Sequence, residues 1–134
     1  MRYVLSLNQQ KNKFMKPTLV LGASNNPSRY SFTAVQRLKK YGHEVYPVSI
    51  KKGEIDGIEI INGTPAIFGI NTVTMYLNSE HQKKYYSYIL DIIKPKRIIF
   101  NPGAENDELA EMATKKGIEV IEGCTLVMLS VGNY

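Results

Sequence analysis

Apolar positions along this chain fall into short unbroken runs that alternate with stretches of helical spacing. Leu19, Val20 and Leu21 form the first run, as a strand covered on both faces requires. A turn at Gly22 follows, and then Phe32, Val35, Leu38 and Tyr41 recur at three-residue steps. Arg37, Lys39 and Lys40 fill the other side, so the spacing predicts an amphipathic helix from Ser31 to Tyr41, ended by Gly42. Ser31 is the residue type that caps such a helix. A second strand is predicted over Glu44–Ser49, with Pro47 near its end.

The next stretch is less regular. Ile58 to Ile61 and Ala66 to Phe68 flank Asn62-Gly63, a dipeptide that favours hairpin turns. Asn71–Leu77 is rich in β-formers and predicts a central strand. A helix then runs from Asn78 or Ser79 to Ile93, with Tyr85, Tyr88, Ile89, Ile92 and Ile93 inward, and Lys94-Pro95 stops it. Arg97–Asn101 is another buried strand, turned by Pro102-Gly103 into a helix over Glu105–Lys116. Glu119–Ile121 is the last strand, and Thr125–Val131 a closing helix. Ahead of all this, Tyr3, Leu5 and Leu7 alternate as in a short edge strand, and an Asn/Gln/Lys run links it onward. Residues 1–15 therefore read as an extension and 16–134 as the domain.

Four strand–helix alternations predict the α/β class: a mainly parallel sheet with helices on both faces, in three layers. Ligands of such sheets sit outside the carboxyl ends of the strands. The turns there are Gly22-Ala23-Ser24, Val48-Ser49, Leu77-Asn78 and Asn101-Pro102-Gly103. At the first, Arg29 places a permanent charge beside a helix start suited to phosphate.

Composition narrows the partners. The 134 residues carry a net charge of +5, which favours polyanionic or phosphate-rich partners. The lysines are dispersed, without the clustered arginines and aromatics of nucleic-acid modules, so no nucleic acid is expected. No apolar run reaches the roughly 20 residues of a membrane span, so no membrane partner is expected either. The single Cys124 excludes an internal disulfide framework. With no signal-peptide core at the N-terminus, a cytoplasmic protein is expected.

The first turn, Gly-Ala-Ser-Asn-Asn-Pro, has one glycine where a dinucleotide fingerprint has three. The second strand ends without the acid that holds an NAD ribose, and Lys51 and Lys52 follow. Lysines there suit a phosphate on the ribose, as in NADP or coenzyme A.

Several segments together resemble the small stand-alone CoA-binding proteins, which are similar to the CoA-binding domain of the succinyl-CoA synthetase alpha subunit. They are Gly22–Ser31, Gly42–Val48, Thr72–Asn78, Arg97–Asn106 and Cys124–Leu129, and the resemblance covers Lys16 to Tyr134. It implies a Rossmann-like domain that binds coenzyme A or acyl-CoA. Carried over residue by residue, Gly22, Ala23, Ser24, Arg29, Tyr30 and Ser31 would line the phosphates. Val48 and Ser49 would border the adenosine, with Lys52 on the 3′-phosphate. Tyr76, Leu77, Asn78, Asn101, Pro102 and Gly103 would flank the cofactor further along. Asn71 departs from the pattern, where an aspartate is usual. The phosphorylated histidine of the synthetases belongs to a part absent here, so ligase chemistry is not implied.

No catalytic constellation is visible. Glu105 stands at a helix start, where the dipole favours an acid; a general-base role would need a partner. His43 and His81 are isolated, so no metal site is expected. Cys124 precedes an apolar helix and reads as a small buried residue or a thiol facing the pantetheine end. The cluster Tyr85-Tyr86-Ser87-Tyr88 offers a homodimer contact. The rival reading is an NADP-dependent reductase, which would need a substrate domain that a chain of this length lacks.

Overall fold

The computed structural model describes residues 15–134, so the edge strand expected around Tyr3–Leu7 lies outside the described residues. Five strands form the main sheet: β1 (Thr18–Leu21), β2 (Val45–Val48), β5 (Thr72–Met75), β6 (Arg97–Phe100) and β7 (Glu119–Glu122). Their order is β2-β1-β5-β6-β7, and every pairing is parallel. Between β2 and β5 lies a small antiparallel pair, β3 (Glu54–Ile55) and β4 (Ile58–Glu59). The helices are α1 (Tyr30–Lys40), α2 (Ser79–Gln82), α3 (Asp107–Lys115) and α4 (Thr125–Val131).

Strand side chains alternate between faces, and the two faces build two cores. Leu19, Leu21, Val73, Met75, Ile98 and Phe100 pack with Tyr85, Tyr88, Ile89 and Leu109 on one side. Val20 and Ile99 pack with Val35, Leu38 and Leu129 on the other, joined by Ile55 and Ile60 from the β3–β4 excursion. All residues of β1, β5 and β6 are buried, as their unbroken apolar runs required. The result is the three-layer, Rossmann-like α/β/α architecture.

Pro47 sits in β2 without breaking it because β2 is the last of the five. Pro47 O accepts from Ile61 N (2.8 Å), so the side lacking a donor faces away from β1. The same bond, with Ser49 N donating to Ile61 O (3.1 Å), covers the sheet edge.

Three local expectations change. The hairpin turn is at Asp56-Gly57 (φ 48° and 82°), whose two left-handed residues suit a two-residue hairpin, and not at Asn62-Gly63. The helix to Ile93 is not uniform: α2 is one turn, a 3-10 turn follows at Lys83–Tyr85, and Tyr88–Ile93 is wound as a π-helix. The wider winding turns Leu90 into the core and leaves Ile92 46% exposed, the reverse of what a 3.6-residue period gives. Finally, α1 starts one residue early, so Ser31 is buried inside its first turn and Arg29 takes the cap position.

Candidate functional site

β1 continues through α1 to β2 on one side of itself, and the chain returns to β5 on the other. The reversal opens a crevice at the carboxyl ends of β1 and β5. A cleft of about 430 Å³ lies there. Gly22, Ala23 and Ser24 form its floor, and Arg29, Tyr30 and Ser31 come from the start of α1. Ser49, Ile50 and Lys51 close it beyond β2; Tyr76, Leu77, His81 and Pro102 close it beyond β5 and β6.

Gly22 is required by a close approach. Its φ is +91°, and a Cβ there would lie 2.9 Å from Leu77 Cδ2 and 3.1 Å from Leu77 N. The amides of Gly22 and Ala23 are occupied, both donating to Val48 O (2.9 and 3.3 Å). Ser24 Oγ accepts from Asn26 N (3.1 Å), and Asn26 Oδ1 accepts from Ser28 N (3.0 Å), which shapes the loop into α1. At the helix start the situation differs. Arg29 makes no side-chain cap, and no acid stands in the first turn. Tyr30 N and Ser31 N have no acceptor among the described residues. The first turn of α1 thus presents open donors and positive dipole to the cleft, beside the Arg29 guanidinium.

Other residues that the resemblance placed at the cofactor lie outside the lining of this cleft. Val48 is buried and serves through its carbonyl. Lys52 is exposed but outside the cleft lining; Lys51 is in it. Asn78 caps α2, its Oδ1 accepting from His81 N (3.0 Å). Asn101 is buried: its amide donates to Thr74 Oγ1 (2.7 Å) and Met75 O (2.9 Å), and its Oδ1 accepts from Thr125 N (2.9 Å). Gly103 N donates to Glu105 Oε1 (2.8 Å), and Asn106, not Glu105, caps α3. Cys124 is half-buried at the cap of α4. Tyr85 and Tyr88 are buried, and Tyr86 is half-buried, accepting from Asn106 Nδ2 (2.9 Å), so this cluster presents no fully exposed ring. The Tyr88 hydroxyl donates to Pro65 O (2.6 Å), and burial pushes its pKa up to about 12.

Two supporting residues carried no signal in the chain's apolar pattern. Gln82 is fully buried and donates to Leu77 O (2.8 Å) and Ala104 O (2.7 Å), tying the β5 loop to the β6 loop. Asn62 donates to Ser49 O (2.7 Å) and Lys51 O (2.8 Å), holding the β2 loop in its curve. Only the fold brings either to its partners.

The electrostatics favour an anion. Arg29 and Lys51 line the cleft, and among the described residues no acidic side chain does. Tyr76 closes the far end, where burial first, and then Cys124, hold its phenol well above the ordinary range. Its buried hydroxyl meets no hydrogen-bond partner within bonding geometry among the described residues, and the nearby Thr74 and Thr125 hydroxyls bond each other at 2.8 Å. A smaller cavity of about 100 Å³, a branch that shares Gly22, Ser49, Ile50, Leu77 and His81 with the cleft, is lined also by Lys84 and Tyr85. Among the described residues no group of His, Cys, Asp and Glu side chains is arranged to hold a metal, and no helix is long and apolar enough to cross a membrane.

Comparison with known proteins identifies the fold and the family. A solved structure titled only as an uncharacterized protein is 54% identical, covering 90% of this chain and 98% of its own, with a TM-score of 0.87. A hypothetical protein from Pyrococcus horikoshii OT3 is 19% identical with a TM-score of 0.76, covering 98% of each chain. The protein cell-free ID.343 from Thermus thermophilus is 18% identical with a TM-score of 0.78, covering 95% of this chain and 96% of its own. The latter two share the fold. No curated protein matches. The family described as CoA binding domain matches residues 16–130, which includes every wall of the cleft, and this chain belongs to that family.

Proposed function

We propose that this protein binds coenzyme A or an acyl-CoA, with the cofactor's pyrophosphate at the first turn of α1. The observation that carries the reading is the uncapped helix start. Tyr30 and Ser31 line the cleft with Arg29, and their backbone amides have no acceptor among the described residues. Such a terminus suits a diphosphate, and the acid-free lining costs the anion no repulsion. The family match supports coenzyme A as the nucleotide. Lys51, on the β2 loop, is placed for a phosphate on the ribose, with Lys52 adjacent on the same turn.

The role is carrying or sensing the cofactor rather than transforming it. Proton transfer needs a base oriented by a partner. His81, the imidazole in the lining, makes no side-chain hydrogen bond among the described residues, and the Glu105 carboxylate is engaged by Gly103 N.

Thermal-shift titration tests this. Coenzyme A raises the melting temperature by linkage, dephospho-CoA raises it less, and NADPH leaves it unchanged. A shift with NADPH and none with coenzyme A would transfer the cleft to the reductase reading.

A further inference from the structure

We infer that Lys84 is a second phosphate-recognition residue of the cleft, selecting nucleotides that carry a phosphate monoester on the ribose in addition to a diphosphate. The inference rests on the coenzyme A reading above and adds a residue from the far wall.

Three observations support it. The first is position. His81 and Lys84 are one helical turn apart and line the same branch, with Ser49 and Ile50 of the β2 loop opposite. Lys84 therefore lines a space that Arg29 and the start of α1 do not line.

The second is pairing. Lys83, the preceding residue, bonds Glu80 (3.3 Å); Lys115 bonds Glu111 (3.3 Å); Lys116 bonds Asp91 (3.0 Å). Lys84, like Lys51 in the cleft and most other lysines, has no carboxylate partner among the described residues. Its Nζ lies 5.4 Å from the centroid of the buried Tyr85 ring, which draws the ammonium over the apolar end of the branch.

The third is the separation of charge. Arg29 and the open amides serve one anionic group at α1. Lys51 and Lys84 come from two other segments, the β2 loop and the helical segment after β5. A ligand with one phosphate cluster has no use for both sets. A ribose diphosphate with a separate monoester uses each, and the branch contains no acid to compete.

Isothermal titration calorimetry on the full chain decides it, with coenzyme A, dephospho-CoA, NADP and NAD as ligands. The variants are Lys84→Met, Lys84→Arg and the solvent-facing control Lys83→Met. Lys84→Met should weaken coenzyme A about tenfold and leave dephospho-CoA within about twofold of wild type, as the loss of one charged contact requires. Lys84→Arg should restore most of the difference, and Lys83→Met should change neither ligand. Equal weakening of both ligands, or no weakening of coenzyme A, overturns the role of Lys84 while leaving the proposed function standing. Wild-type protein that binds neither coenzyme A nor dephospho-CoA overturns the proposed function. If that protein then prefers NADP over NAD through Lys84, the monoester contact holds with a different nucleotide as its source; without that preference the inference falls too.

Discussion

Single residues in this protein divide between those that shape the cleft and those that hold the sheet beneath it. Gly22 belongs to the first group. An alanine there would place its Cβ against Leu77 in a backbone conformation that L-residues avoid. Gly22→Ala should cost about 2 kcal/mol in urea unfolding and abolish the thermal shift with coenzyme A. Asn101 belongs to the second. Three buried hydrogen bonds converge on its amide, and removing it leaves Thr125 N without its acceptor. Asn101→Ala should lower stability by about 3 kcal/mol in the same measurement. In the sequence both residues looked like parts of one site; their hydrogen bonds separate them.

His43 makes a third residue-scale prediction. Its Nδ1 accepts from Lys16 N (2.9 Å), and its ring meets Tyr134 at 5.0 Å. Burial, then Lys16 and Arg97, lower its pKa below 6.5. The unfolded chain then takes up a proton near pH 6.5 that the folded chain refuses. Stability is full above that pH and falls as the pH drops through the lowered folded value. Melting temperatures between pH 7.5 and 5 should decline in wild type and flatten in His43→Asn, which keeps an acceptor for Lys16.

At the scale of elements, the strands were legible and the connections were not. A run such as Leu19-Val20-Leu21 has one physical solution, burial on both faces, and β1, β5 and β6 adopt it. Between β2 and β5 two turn dipeptides compete. Asp56-Gly57 forms the hairpin because Ile55 and Ile60 reach the core from there. Asn62 is drawn off to the carbonyls of Ser49 and Lys51. Asn62→Ala should loosen that loop, weakening coenzyme A several-fold in calorimetry with less than about 1 kcal/mol of lost stability. After β5, the change from 3-10 to π winding swaps Ile92 for Leu90 in the core, which a fixed helical period does not anticipate.

At the scale of the molecule, the strand order decides where the cleft sits. β1 lies between β2 and β5, and the chain reverses direction around it, so loops distant in sequence surround one crevice. The family match spans the same walls. Several residues singled out from the resemblance do face that crevice: Gly22, Ala23, Ser24, Arg29, Tyr30, Ser31, Ser49, Tyr76, Leu77 and Pro102. Lys51, which the sequence paired with Lys52 as suited to a ribose phosphate, faces it as well; Ile50 and His81 also face it and Lys84 lines its branch, though no local pattern marks those three.

By itself the sequence determined the layers, the parallel sheet and the tight turn at Gly22, because these depend on hydrophobic period and turn chemistry within a few residues. Tertiary structure alone decided which polar side chains face the cleft and which brace it. Asn78, Asn101 and Lys51 differ in that respect by what lies opposite them in space, and the neighbours of a folded residue come from strands that the chain order does not set side by side.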